Sequence, residues 1–159
     1  MTTASTNMPG TRIYNRNLWS GALFGLGMVA FIDETLFHQL LHWHHFYDKS
    51  TTGLGLVSDG LFHAFSWIAT IGGLFLLADL RRKNALSIRR WLGASQFAGG
   101  MFQLYDGTIQ HKWMKLHQIR YVDHVFIYDL IWNLAACLMI LMGLFQIVKA
   151  RNGQAGRIA

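Results

Sequence analysis

Charge, cysteine and proline are all scarce in this chain. Of its 159 residues only 14% are Asp, Glu, Lys or Arg, while 52% are hydrophobic; an ordinary soluble domain carries about a quarter charged residues. That leaves too little polar surface to cover a soluble domain of this size, and the chain is far too apolar to be disordered. The single cysteine, Cys137, excludes a disulfide framework and any multi-thiolate zinc or iron–sulfur site. A bound metal would therefore need nitrogen and oxygen ligands. In mid-helix, Cys137 itself is expected to be a small buried residue.

Four uncharged runs carry the apolar content: 18–32, 60–78, 91–105 and 130–148. The second and fourth, 19 residues each, reach the roughly 20 apolar residues of a spanning helix. The first and third stop at 15 but continue as DETLFHQLLHWHH and DGTIQHKWM, with no proline or turn signal to end a helix. Trp19 and Trp43 bracket the first helix and Trp91 and Trp113 the third, as interfacial tryptophans do. The pattern predicts an all-α protein, one membrane domain over 1–159, with four transmembrane helices at about 18–46, 57–80, 89–114 and 123–149. Short connections predict an up-and-down bundle.

Ten bases lie before the first helix, between the second and third, and after the fourth: Arg12, Arg16, Arg81, Arg82, Lys83, Arg89, Arg90, Lys149, Arg151 and Arg157. Four lie on the opposite side: Lys49, Lys112, Lys115 and Arg120. The positive-inside rule then places both termini in the cytoplasm. It also explains the net charge of +6 without nucleic acid, since these bases are dispersed and lack interleaved aromatics. No cleavable signal peptide is expected before the first helix.

A shift of 73 residues lays Phe24, Gly27, Met28, Asp33, Thr35, His38 and His44 over Phe97, Gly100, Met101, Asp106, Thr108, His111 and His117. A shift of 70 lays Asp59 over Asp129 and Gly73-Leu74-Phe75 over Gly143-Leu144-Phe145. The chain reads as a duplicated helical hairpin, with the two copies parallel and any shared site at their interface. Small residues on the first and third helices would let the copies approach closely.

All eight histidines, His38, His42, His44, His45, His63, His111, His117 and His124, fall in the outer ends of the helices or the outer connections. The acids Asp33, Glu34, Asp59, Asp106, Asp123 and Asp129 share that layer. On a continuous helix Glu34, His38, His42 and His45 form one stripe, and Asp59 and His63 stand at i, i+4. An ionised carboxylate at membrane depth costs about 3 kcal/mol or more unless paired, and such groups mark function by default. Glu34, His38, His42, His63 and His111 are accordingly the candidate metal ligands. Asp33, Asp59, Asp106, His44, His117, His124 and Asp129 are candidates to orient them through hydrogen bonds. Close to water, His44, His45, His117 and His124 also read as interfacial aromatics. Glu34, His42 and His63 become Gly107, Lys115 and Asn133 in the second copy, which predicts one asymmetric site on helices one and two.

The run GLGMVAFIDETLFHQLLHWHHFYD, with LFHAFSW, YDGTIQHKWMKLHQIR and YDLIWN, resembles a bacterial family of four-span membrane proteins known only as a domain of unknown function. Some of its members are linked to CtaG-type cytochrome oxidase assembly proteins, so the resemblance implies an inner-membrane protein with a copper-related or respiratory role. The chain departs from the family pattern at His117-Gln118, where a histidine pair is usual, and at Glu34, where glycine is usual.

Imidazoles with one or two carboxylates suit zinc, copper(II) or iron, and the lack of thiolates argues against a copper(I) chaperone. The leading expectation is a membrane protein that handles copper, zinc or iron at its outer side. Four alternatives differ in class. HQLLHWHH resembles the histidine boxes of membrane di-iron oxidoreductases. A haem could take two axial histidines, such as His63 with His111 or His124. Asp33 and Asp106 could serve a proton or cation path. The chain could also be an accessory subunit of a respiratory complex, or a homo-oligomer, with no cofactor of its own.

Overall fold

Four long helices and two π-helical extensions build the protein, with no strand among the described residues, 9–155, of the computed structural model. Helix α1, Pro9–Asp33, continues as a π-helical segment, Glu34–Leu40; α2 is Thr52–Arg82. Helix α3, Ile88–Tyr105, continues as a second π-helical segment, Asp106–Trp113, and α4 is Val125–Ala155. The chain's one proline opens α1, where its missing N–H costs no hydrogen bond. Arg157, one of the bases used to orient the chain, lies outside the described residues.

Three helices are long and apolar enough to cross a membrane: Gly10–Leu40, Thr52–Arg82 and Val125–Asn152. Helix α3 is less apolar, and its position explains why. It packs against α1 on one side and α4 on the other, so it buries Gly93, Ala94, Gly99, Gly100 and Gln103 instead of presenting a wide apolar face outward.

The helices form a row, α2–α1–α3–α4, rather than the ring of sequence neighbours expected of an up-and-down bundle. No Cα of α2 comes within 8 Å of one in α3 or α4. Pairings along the row set the directions. Gly73 meets Phe24, and Gly27 meets Ser66 and Thr70, so α1 and α2 are antiparallel. Gly21 meets Trp91 and Gly25 meets Ser95, so α1 and α3 run parallel. Gly100 meets Ala136 and Gly93 meets Gly143, so α3 and α4 are antiparallel.

Close approach at the centre depends on glycine. A Cβ at Gly25 would overlap the Ser95 carbonyl. Polar clasps complete the end of the protein away from the histidines: Ser20 Oγ donates to the Gly73 carbonyl at 2.8 Å and accepts from Trp91 Nε1 at 2.9 Å. Asn17 Nδ2 donates to the Ala85 carbonyl at 3.0 Å, while its Oδ1 accepts from Ser87 N–H at 2.8 Å. Helix α4 packs along α3 and its extension, reaches Phe37 and Trp43 through Trp132 and Tyr128, and leaves Cys137 exposed on its outward face. The expected burial of Cys137 assumed a helix surrounded on all sides.

Candidate functional site

Both central helices end in the same way. Each loosens into i→i+5 bonding, with Leu41 N–H to Leu36 O at 2.9 Å and Met114 N–H to Ile109 O at 2.7 Å. Each then closes with a longer link, Trp43 N–H to Phe37 O at 2.9 Å and Leu116 N–H to Gln110 O at 3.0 Å. A residue in the left-handed region follows in each half, His42 at φ 50° and Lys115 at φ 52°, a common way to terminate a helix. π turns and such terminations concentrate at functional sites. Two residues beyond each turn, His44 and His117 are buried between the central helices.

Four histidine rings meet there. His44 and His117 are stacked, with centroids 4.5 Å apart and planes 4° apart. His111 lies 4.7 Å from His117, and His38 lies 4.5 Å from His44. His44 Nδ1 is 3.0 Å from the Ile119 carbonyl and His117 Nδ1 is 2.9 Å from the Phe46 carbonyl. A carbonyl oxygen only accepts, so both Nδ1 atoms carry the hydrogen, and in the neutral rings both Nε2 atoms keep a lone pair. Residues 44 and 46 stand to 117 and 119 at the same offset of 73, so the two bonds are exchanged between equivalent positions.

Donor atoms of His44, His111 and His117 lie within 4.8 Å of one another, all buried. Asp106 stands beside them, Oδ2 3.0 Å from His111 Nε2 and Oδ1 3.5 Å from His117 Nε2. Neither approach is aligned as a hydrogen bond: His111 Nδ1, His111 Nε2, His117 Nε2, His44 Nε2 and His38 Nε2 are all buried without a hydrogen-bond partner. Buried polar atoms are nearly always satisfied, so five such atoms in one cluster are a chemical demand.

A second group adjoins. Donor atoms of Glu34, His38 and Asp59 also lie within 4.8 Å of one another, all buried. His38 Nδ1 is 3.1 Å from Asp59 Oδ1 and 2.9 Å from Glu34 Oε2. His45 Nδ1 reaches Asp59 Oδ2 at 2.6 Å, and the Phe46 amide reaches Asp59 Oδ1 at 2.7 Å. Gln39 Nε2 donates to Glu34 Oε1 at 2.7 Å.

Of the expected ligands, Glu34 and His38 fall in the second group and His111 in the first. His42 is exposed because its backbone makes the left-handed turn. His63 turns away to accept from Trp67 Nε1 at 3.0 Å and to pack on Phe31. Among the residues expected only to orient ligands, Asp59, His44 and His117 stand inside the groups, with Asp106 alongside. Asp33 is buried at the end of α1, Asp129 pairs with Lys112 at 2.6 Å, and His124 is exposed. His45, read from the sequence as an interfacial aromatic on the stripe of Glu34 and His38, lies beyond the helix, which stops at Leu40, and holds Asp59 Oδ2 at 2.6 Å.

The chain belongs to a family described as "Predicted membrane protein (DUF2243)", which matches residues 20–150. It is thus a membrane protein of a family without an assigned function. No curated protein and no solved structure matches it.

Proposed function

We propose that this membrane protein binds a divalent transition-metal ion between His44, His111 and His117, with Asp106 beside them. One observation carries the reading: one nitrogen from each of these rings converges with the others, and His44 Nε2, His117 Nε2 and both ring nitrogens of His111 are buried without hydrogen-bond partners. A cation seated among them would satisfy several lone pairs at once. Backbone carbonyls holding the Nδ1–H of His44 and His117 supply the outer hydrogen bonds that orient metal-binding imidazoles. Three neutral imidazoles suit zinc, copper(II) or iron, and the carboxylate of Asp106 offers a fourth donor. The first step of any reaction or transfer is therefore capture of the ion by side chains already aimed.

In this reading the chain is a duplicated hairpin whose four helices all span the bilayer, α3 as an interior span. The shared offset of 73 supports it, since it relates the π-helical segments, the left-handed residues and the histidine bonds alike. The excess of bases at one end supports cytoplasmic termini, with the histidine layer at the outer face of a bacterial plasma membrane. Such a site serves insertion, storage or transfer of a metal ion, and the resemblance to proteins linked with CtaG-type assembly points the cargo towards copper. Haem ligation by His63 with His111 or His124 draws no support from the geometry, because His63 faces Phe31 and Trp67.

Elemental analysis of detergent-solubilised protein tests the reading. Copper, zinc or iron bound in stoichiometric amount is expected. Protein that retains none of them, even after reconstitution with each, would falsify it.

A further inference from the structure

We infer that a second divalent cation binds between Glu34, His38 and Asp59, making a two-ion centre with the three-imidazole group. The inference rests on the metal-binding reading and adds to it a site of different chemistry, two carboxylates and one imidazole.

The buried carboxylates converge on one nitrogen. A single N–H on His38 Nδ1 faces both Asp59 Oδ1 at 3.1 Å and Glu34 Oε2 at 2.9 Å. It is aligned on Asp59, and Glu34 Oε2 is left buried with no hydrogen-bond partner. The side chains of Glu34 and His38 are each 1% exposed, so bulk solvent does not reach them. Meanwhile the other carboxylate oxygens are steered from behind, Glu34 Oε1 by Gln39 and Asp59 Oδ2 by His45. The ion-pair partners of Glu34 and Asp59 are all histidines. An unpaired buried carboxylate is costly, and a cation seated among the three donors removes that cost. On binding, the Nδ1 proton moves to the unpartnered Nε2 of the same ring, and the imidazole stays neutral.

A purely structural cluster would be expected wherever the same backbone is built. The other half of the chain speaks against that. The counterpart of Glu34 is Gly107, where a Cβ would meet Trp132 Cδ1 at 2.6 Å and Asn133 Oδ1 at 2.9 Å. The counterpart of Asp59 is Asp129, which pairs with Lys112 at 2.6 Å. A π-helical segment with the same termination forms there with no acid at the Glu34 position and with the one counterpart acid, Asp129, held by a lysine instead of an imidazole. Convergence of two carboxylates on one imidazole is therefore not what builds this helix end, and the group sits against the three imidazoles, His38 lying 4.5 Å from His44. Two carboxylates and an imidazole suit harder ions such as Mn²⁺, Fe²⁺ or Zn²⁺.

The test counts ions. Detergent-solubilised protein is stripped with chelator, reloaded with Zn²⁺, passed through gel filtration and analysed for zinc per chain. Two are expected in the unmutated chain, one in Glu34→Gln and one in His111→Ala. An unmutated chain that holds one ion, unchanged by Glu34→Gln, overturns the second site and leaves the imidazole site standing. A chain that holds none overturns both. Should a variant fail to elute as a folded species, the count of one or two in the unmutated chain still decides.

Discussion

His44 and His117 lie face to face, 4.5 Å apart, and each donates its Nδ1–H to a main-chain carbonyl in the other's connection, Phe46 O for His117 and Ile119 O for His44. The arrangement locks both rings in one tautomer and turns both Nε2 lone pairs inward. It also ties the connection after α1 to the connection after α3, so the histidine group and this end of the protein are held by the same two bonds.

Removal of either ring should empty the imidazole site. His44→Ala and His117→Ala are each expected to yield protein without the ion at that site after gel filtration, while His42→Ala and His63→Ala retain it. Asp106→Asn, which keeps the shape but not the charge, should weaken binding by roughly 10–100-fold. Metal content and competition with a chelator of known affinity measure all five. Retention by His44→Ala with loss from His63→Ala would show that the wrong histidines were chosen.

Binding should fall with acid. An imidazole binds metal only when a ring nitrogen is unprotonated, so protons compete with the ion and metal binding releases protons wherever the ring began charged. Occupancy should decline as the pH is lowered. A chelator competition repeated across pH checks this; affinity that rises in acid would exclude imidazole ligation.

Gly25 marks the tightest point of the α1–α3 contact. Gly25→Ala should lower the melting temperature in detergent, at a cost of about 1–3 kcal/mol, because the added Cβ overlaps the Ser95 carbonyl. Gly60 on α2 has open space around it, so Gly60→Ala should be neutral or stabilising by up to about 1 kcal/mol. Equal behaviour of the two variants would mean that α1 and α3 do not approach as described.

Orientation can be read directly. A reporter protein that is fluorescent only in the cytoplasm should be active when fused to either end of the chain. A reporter that needs export should be active when inserted in the connection 114–124. The opposite pattern would invert the protein and move the histidine layer inward.

Much of this protein was legible in its sequence. Uncharged runs, tryptophan placement and the scarcity of charge determined that it is helical and suited to a membrane, because burial in lipid acts residue by residue along a helix. The offset of 73 placed equivalent residues in register, and the confinement of histidines and acids to one layer located the region of the site. Ligand identity was less accessible. Stripes such as Glu34, His38, His42 and His45 presume one continuous helix, and α1 instead loosens at Glu34 and ends at Leu40.

Only the tertiary structure decided which side chains meet. The left-handed turn at His42 spends that residue on the backbone and carries His44 back into the interior. The parallel packing of α1 on α3 then sets His44 against His117 and His111, residues far apart in the chain. Local sequence encodes periodicity and polarity, but it does not encode where a chain leaves its helix or what the next helix presents across a glycine-lined contact. Those are set by packing, and packing selected His44, His111 and His117 from eight histidines.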